Sequence, residues 1–256
     1  MLKFEFKNSL ISSLIWIILG SLVLILFLAF YPAFKDQSQQ MALLLENFPQ
    51  QMLDAMGVDI DSFLSFGGFF TYLFSYVNLL VCIFSMNIGL SLSSLEKRSQ
   101  SLDFLYVKPI SRGNIIFIKL IVGLFYVLLF NLALLAIIMV TMTLNQISDW
   151  TAVINIWLAG LTLSLFFFGL GFLLGSFNLK IKKTFGISSA VVFLFFMMLL
   201  LGRMIDAQWL INLTPFGHFD FNHILQNSLN NLGIWTLMII LMIFLTFMRV
   251  KWSDLL

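Results

Sequence analysis

Cysteine is almost missing from this 256-residue sequence: Cys82 stands alone inside an apolar run, so no intrachain disulfide can form. Charge is scarce as well. Asp, Glu, Lys and Arg make up 10% of the residues, against about 25% in an ordinary soluble domain. The net charge of +2 is too small a surplus to suggest nucleic acid as a partner. No Gly-x-x-x-x-Gly-Lys-[Ser/Thr] loop occurs, which excludes nucleotide hydrolysis by a P-loop in this chain. His-Glu-x-x-His, Gly-x-Ser-x-Gly and paired carboxylates at membrane depth are missing too, so no catalytic residue is assigned.

What is present is apolar. Hydrophobic residues reach 61%, Phe alone supplies 30, and the mean hydropathy is +1.02. A soluble globule could not hide that surface from water, and a disordered chain would be far more polar. The chain belongs in a bilayer. Lys3 and Lys7 precede the first apolar stretch as in a secretory signal, but that stretch is long and ends at Phe30-Tyr31-Pro32 without a small-residue cleavage pattern. It therefore reads as a retained span.

A helix needs about 20 apolar residues to cross roughly 30 Å of hydrocarbon. Uncharged windows run over 8–34, 62–95, 120–148, 150–179, 184–202 and 221–248, each long enough for one crossing. These predict six spans near 12–32, 68–93, 120–143, 153–176, 184–202 and 231–249. Lipid offers the backbone no hydrogen-bond partners and barrel alternation is missing, so the fold class is all-α integral membrane. A single transmembrane domain is expected over 1–256, with no internal repeat or second domain in the sequence.

Orientation follows from Lys and Arg near the span ends. With the N-terminus inside, twelve basic residues lie inside and only Lys35 and Arg203 outside. Both termini are then cytoplasmic. Trp150, Trp157, Trp209 and Trp235 fall near the outer ends, where amphipathic rings favour the interface.

Three connecting segments are long enough to carry structure. In the first outer one, Met41, Leu44, Leu45 and Phe48 recur at helical spacing, and Pro49 suits the first turn of a second short helix ending near Gly57. An amphipathic helix here would lie along the outer membrane surface or fold against the bundle, as a cap that shields the span ends or as a gate or substrate vestibule. In the last outer segment, His218, Asp220 and His223 lack a fourth ligand and a metal spacing, so a half-buried outer helix is expected and metal is not.

The inner segment from Glu96 to Lys119 is the most informative. Leu102, Leu105 and Tyr106 form one helical face, while Glu96, Lys97, Arg98 and Asp103 are polar. Pro109 disfavours helix at Lys108, and Ser111 is a suitable N-cap for the third span. A short cytoplasmic helix is thus held between spans 2 and 3. By physics alone an interfacial elbow that anchors the bundle in anionic lipid is the favoured reading, ahead of a lever that passes force from a soluble partner.

Apart from Arg249 at the inner end of the last, the spans hold no Asp, Glu, His, Lys or Arg within these bounds. Their polar residues, among them Asn78, Ser85, Asn131 and Ser164, read as interhelical glue at about 0.6–2 kcal/mol per hydrogen bond. Gly169, Gly171 and Gly175 read as small residues allowing close helix packing. A transporter without an intramembrane ion site needs an external energy source.

The stretch from Phe48 to Lys119 resembles the permease subunits of ABC-2-type ATP-binding-cassette transporters, mostly exporters. The resembling residues are Phe48-Pro-Gln-Gln-Met-Leu-Asp-Ala-Met-Gly57, Glu96-Lys-Arg-Ser99, Ser101-Leu-Asp-Phe-Leu105, Lys108-Pro-Ile-Ser-Arg112 and Ile118-Lys119. The family's Gly-Thr after the acidic–basic stretch is replaced here by Gln100-Ser101. The resemblance implies separate cytoplasmic ABC ATPase subunits that bind ATP and Mg, so no cofactor belongs to this chain. They would dock on a coupling elbow formed by Glu96, Lys97, Arg98, Leu102, Asp103, Leu105, Lys108, Pro109, Ser111 and Arg112. It also implies a second permease, identical or related, with the path between the two. Location in the cell membrane of a bacterium and export of a hydrophobic or amphipathic cargo (peptide antibiotic, drug or lipid) complete the expectation. An integral-membrane enzyme, or an accessory or sensor protein without a path, are the competing readings.

Overall fold

The computed structural model describes residues 2–45, 47–49, 51–53, 63, 65–99, 112–147, 150–177, 183–219 and 232–252. Among them every regular element is helical: α1 (Leu2–Ala29), α2 (Tyr31–Asp36), α3 (Ser38–Leu45), α4 (Phe66–Ser99), α5 (Arg112–Leu144), α6 (Trp150–Ser176), α7 (Thr184–Met204), α8 (Gln208–Leu213), α9 (Pro215–His218) and α10 (Leu232–Trp252). Six helical stretches are long and apolar enough to cross a membrane, and each overlaps one span expected from the sequence.

The first of these runs over Leu2–Asp36, longer than the 12–32 expected. The extra turns stay helical because they have a partner. Phe6 packs edge-on against Phe125 at 5.1 Å, and the Tyr126 hydroxyl donates to the Phe6 carbonyl at 2.8 Å. At the other end Pro32, whose ring removes a donor, falls in the first turn of α2, and α1 has already closed at Ala29.

Burial is unequal. In the apolar window of α4, 78% of residues are buried within the protein, and in α6 67% are, against 22% in the α1 window and 17% in α10. The bundle is therefore built around an α4–α6 pair, with α5 beside it and α1, α7 and α10 at the rim. Lipid is as apolar as Leu, so association depends on close van der Waals fit rather than on removal from water. Glycine supplies that fit here. A Cβ at Gly89 would lie 2.5 Å from the Phe168 carbonyl oxygen and 2.9 Å from the Phe172 nitrogen. From the other side, Gly171 sits directly against the backbone of Met86, and Gly175 against the Leu90 carbonyl and the Ser93 side chain. Gly169 turns elsewhere, towards Met242 on α10 at an ordinary 3.7 Å.

The polar groups of the spans divide into two sets. Asn131 acts as the expected glue: its side-chain amide donates to Ser164 Oγ at 3.1 Å, and Trp157 Nε1 donates to the Asn131 carbonyl at 3.0 Å, tying α5 to α6. Asn78 and Ser85 are buried with no hydrogen-bond partner among the described residues.

The segment after α7 folds back on itself. Asp206 takes φ 52°, the left-handed region, and the Ala207 amide donates to the Gly202 carbonyl at 2.9 Å, which closes α7. Chain reversal then lays α8 on Gly202, where a Cβ would meet Ile211 Cγ1 at 2.8 Å. Thr214 caps α9 by accepting from the Gly217 amide at 3.0 Å. The expected half-buried outer helix is thus two short helices: α8 leaves Trp209 70% exposed, and α9 carries the buried tip. Phe216 of that tip lies between Phe167 and Phe196, with ring centroids 5.4 and 5.6 Å away.

In the first outer segment, α3 bears Met41, Leu44 and Leu45 as the periodicity predicts, but Met41 and Leu44 remain exposed rather than packed on the bundle. Residues 51–53 are helical after Pro49, and the rest of the expected second helix to Gly57 lies outside the described residues.

Candidate functional site

Of the expected coupling elbow, the structure describes the two ends. Glu96, Lys97 and Arg98 lie on the last turn of α4, and Arg112 opens α5. Leu102, Asp103, Leu105, Lys108, Pro109 and Ser111 lie outside the described residues, as does the short helix expected to carry them.

How those two ends are held is on view. Two turns before the end of α4, the Leu92 carbonyl accepts a hydrogen bond from Lys119 Nζ at 2.8 Å. Lys119 is 1% exposed, so this cation is buried where α5 crosses α4. The expectation that the spans hold no Asp, Glu, His, Lys or Arg apart from Arg249 changes at this point. The apolar stretch of α5 begins at Gly113, not at 120, and Lys119 lies within it. The sequence bounded the span by its charges, whereas the structure keeps the charge inside by giving its ammonium a carbonyl oxygen. A charged donor makes the stronger kind of hydrogen bond, and dry surroundings sharpen it. Next along α5, Gly123 lets the helix close on Leu92 and Phe168 together; a Cβ there would stand 3.1 Å from Leu92 Cδ1 and 2.6 Å from Phe168 Cζ.

The same stretch of α4 is fixed to α6. Gly171 and Gly175 rest on Met86, Leu90 and Ser93, about two to four turns from the end of α4. The Ser93 and Ser94 hydroxyls are met within their own helix, donating to the Gly89 carbonyl at 2.9 Å and the Leu90 carbonyl at 2.6 Å. Both ends of the elbow thus run into one packed unit of α4, α5 and α6.

The chain matches the sequence family described as "ABC-2 family transporter protein" over residues 1–255. It belongs to that family. No curated protein and no solved structure matches it. ABC-2 permeases are the membrane component of a transporter and generally work with cytoplasmic ABC ATPases.

Of the outer cluster His218, Asp220 and His223, the structure describes His218 alone. His218 Nε2 is 2.7 Å from the Asn212 carbonyl, and its ring lies 5.2 Å from that of Trp235. Asp220 and His223 lie outside the described residues, and no metal-holding group of His, Cys, Asp or Glu occurs among those described.

Sequence reasoning noticed Lys119 as part of a family motif and missed its physical role. The signal was available: a lone cation seven residues into the apolar run that starts after Arg112. Replacing Lys119 by Met removes a charge-assisted hydrogen bond, a loss of about 1.5–3 kcal/mol. The thermal midpoint of the detergent-solubilised chain is expected to fall, and Lys119→Arg, which keeps a donor, to recover part of the loss.

Proposed function

We propose that this chain is the permease subunit of an ATP-driven exporter, a single membrane domain with both termini in the cytoplasm and the Glu96–Arg112 elbow docked on a separate ATPase. The family match along almost the whole chain carries the reading. The placement of twelve of fourteen basic residues on one side supports the orientation.

Two permeases, identical or related, and two ATPases make the working unit. Closure of the ATPase pair pushes the elbows, and Pro109 with Ser111 keeps each one short and stiff. On α4 the push meets a helix locked to α6 by glycine contact and to α5 through Lys119. The three helices then move together, while α1, α7 and α10, held by far less buried surface, give way. ATP supplies the free energy at the partner's site, and this chain turns displacement into opening. The uncharged, Phe-rich spans suit a hydrophobic or amphipathic cargo.

Topology gives the direct test. In a Cys82→Ser background, Lys108→Cys is expected to resist a membrane-impermeant maleimide on intact cells and to react in inside-out vesicles. Labelling on intact cells overturns the orientation, and with it the docking site.

A further inference from the structure

At the end of the bundle away from the elbow, α2, the first turn of α4 and the turn after α5 enclose an open cavity of about 470 Å³. Its apolar wall is Tyr31, Pro32, Phe66 and Ile147; its polar rim is Lys35, Asp36, Asn145 and Gln146. We propose that this cavity seats the headgroup of a primary-amine zwitterionic phospholipid, of the phosphatidylethanolamine class.

The wall is preformed. Tyr31, 7% exposed, stands edge-on to Phe66 at 4.8 Å and tilted against Phe69 at 5.4 Å. The rim is placed by backbone geometry. Gln146 takes φ 53°, and the following Ile147 amide donates back to the Met142 carbonyl at 3.0 Å, which holds this turn against the end of α5. The Asn145 side-chain amide donates to the Thr141 carbonyl at 2.9 Å, which anchors that carboxamide.

Charge selects the ligand. Lys35 and Asp36 are consecutive, both exposed, and both on the rim. A pure anion would be drawn to Lys35 and repelled by Asp36; a pure cation would meet the reverse. A zwitterion meets both: its phosphate faces the Lys35 ammonium and its ammonium faces the Asp36 carboxylate. The carboxylate and the carboxamide oxygens accept hydrogen bonds, which a primary ammonium can give and a quaternary one cannot. The rings of Tyr31 and Phe66 are turned on each other, so they form no cage for a quaternary ammonium.

Position selects a lipid over a free solute. Asp36 closes the first membrane-length stretch, Phe66 opens the second, and Asn145 directly follows Leu144, which closes the third. The cavity therefore lies at the boundary between hydrocarbon and headgroups. Phe27 and Phe30 before α2, and Val140 and Leu144 on α5, are exposed apolar side chains at or below this level, suited to acyl chains. The assignment is independent of the transport direction and of the ATPase partner.

Native mass spectrometry of the full-length chain, loaded with equal amounts of phosphatidylethanolamine, phosphatidylcholine and phosphatidylglycerol, tests it. Retention of phosphatidylethanolamine is expected to exceed that of either other lipid by about fivefold, which is about 1 kcal/mol for two exposed charge pairs. The Lys35→Ala/Asp36→Ala chain, altered only at exposed positions, is expected to elute as the parent does and to lose the preference. Equal retention of the three lipids, or a preference that survives the double substitution, overturns the proposal. Soluble glycerophosphoethanolamine at millimolar concentration is expected to leave the lipid bound; displacement would assign the cavity to a free zwitterion and overturn the lipid reading.

Discussion

Replacing Leu105 by Asp and Arg112 by Glu together is expected to release the ATPase and abolish transport while the chain still inserts. Leu105 belongs to the apolar face that Leu102 and Tyr106 complete in the sequence, and Arg112 opens α5. If that face docks on the ATPase as proposed, a carboxylate there and a reversed charge at position 112 would remove an apolar anchor and create repulsion, each costing about 2 kcal/mol or more at a desolvated contact. Retention of the ATPase on an affinity-tagged permease is therefore expected to fall by well over tenfold, since every 1.4 kcal/mol is a factor of ten. Neither substitution lies in an apolar span, so membrane yield is expected to hold. Undiminished co-purification with undiminished transport would remove the elbow from the mechanism, whatever the topology.

The second large effect is expected at Gly171. A Cβ there would run into the Met86 backbone, which cannot rotate away as a side chain would. Gly171→Ala must push α4 and α6 apart, at about 1–3 kcal/mol for the overpacking alone, and Gly171→Leu considerably more. Because α4 and α6 are the most buried pair, separation also costs the fit around Phe168 and Phe172, which stack with centroids 5.7 Å apart. Fluorescence-detected gel filtration is expected to show Gly171→Leu aggregated or missing. The controls carry the opposite sign. Gly113 and Gly186 have no neighbour within 4 Å of an added Cβ, so alanine there is expected to be neutral or to stabilise by about 0.5–1 kcal/mol through lower chain entropy. Equal tolerance at Gly171 and Gly113 would refute the close-packed account of the bundle.

The two predictions act at opposite ends of one path. On the proposed mechanism, the elbow substitutions would stop force from entering α4 and α5, and the glycine substitutions would destroy the unit proposed to receive it. Lys119 lies between them, and its loss is milder because polar contact such as that to the Leu92 carbonyl is removed while the packing of Gly123 on Leu92 and Phe168 stays.

Much of this was legible beforehand, for identifiable reasons. Span positions followed from charge-free windows, because an exposed charge in hydrocarbon is expensive; each of the six windows met one membrane-length helix. The rule failed at Lys119 because it knows the cost of an unpaired charge and not the partner that lowers it. The outer periodicity located α3 but not its exposure, since Met41 and Leu44 suit lipid contact and protein contact alike. At the last outer segment, the chain reversal depends on Asp206 in the left-handed region, a conformation that Asp adopts more readily than most residues but that its presence does not announce.

From the sequence alone came the number of crossings, their helical nature and the crowding of basic residues on one side, because lipid demands an apolar length and internal backbone pairing whatever the neighbours are. Adjacency came only with the tertiary structure. Spans that are apolar all round carry no stripe to say which face turns inward, so the rotation of each helix is undetermined until close packing chooses it. That choice set Gly171 and Gly175 against α4 and Gly169 against α10, buried Lys119 on the Leu92 carbonyl, and left a polar-rimmed cavity beside Lys35 and Asp36.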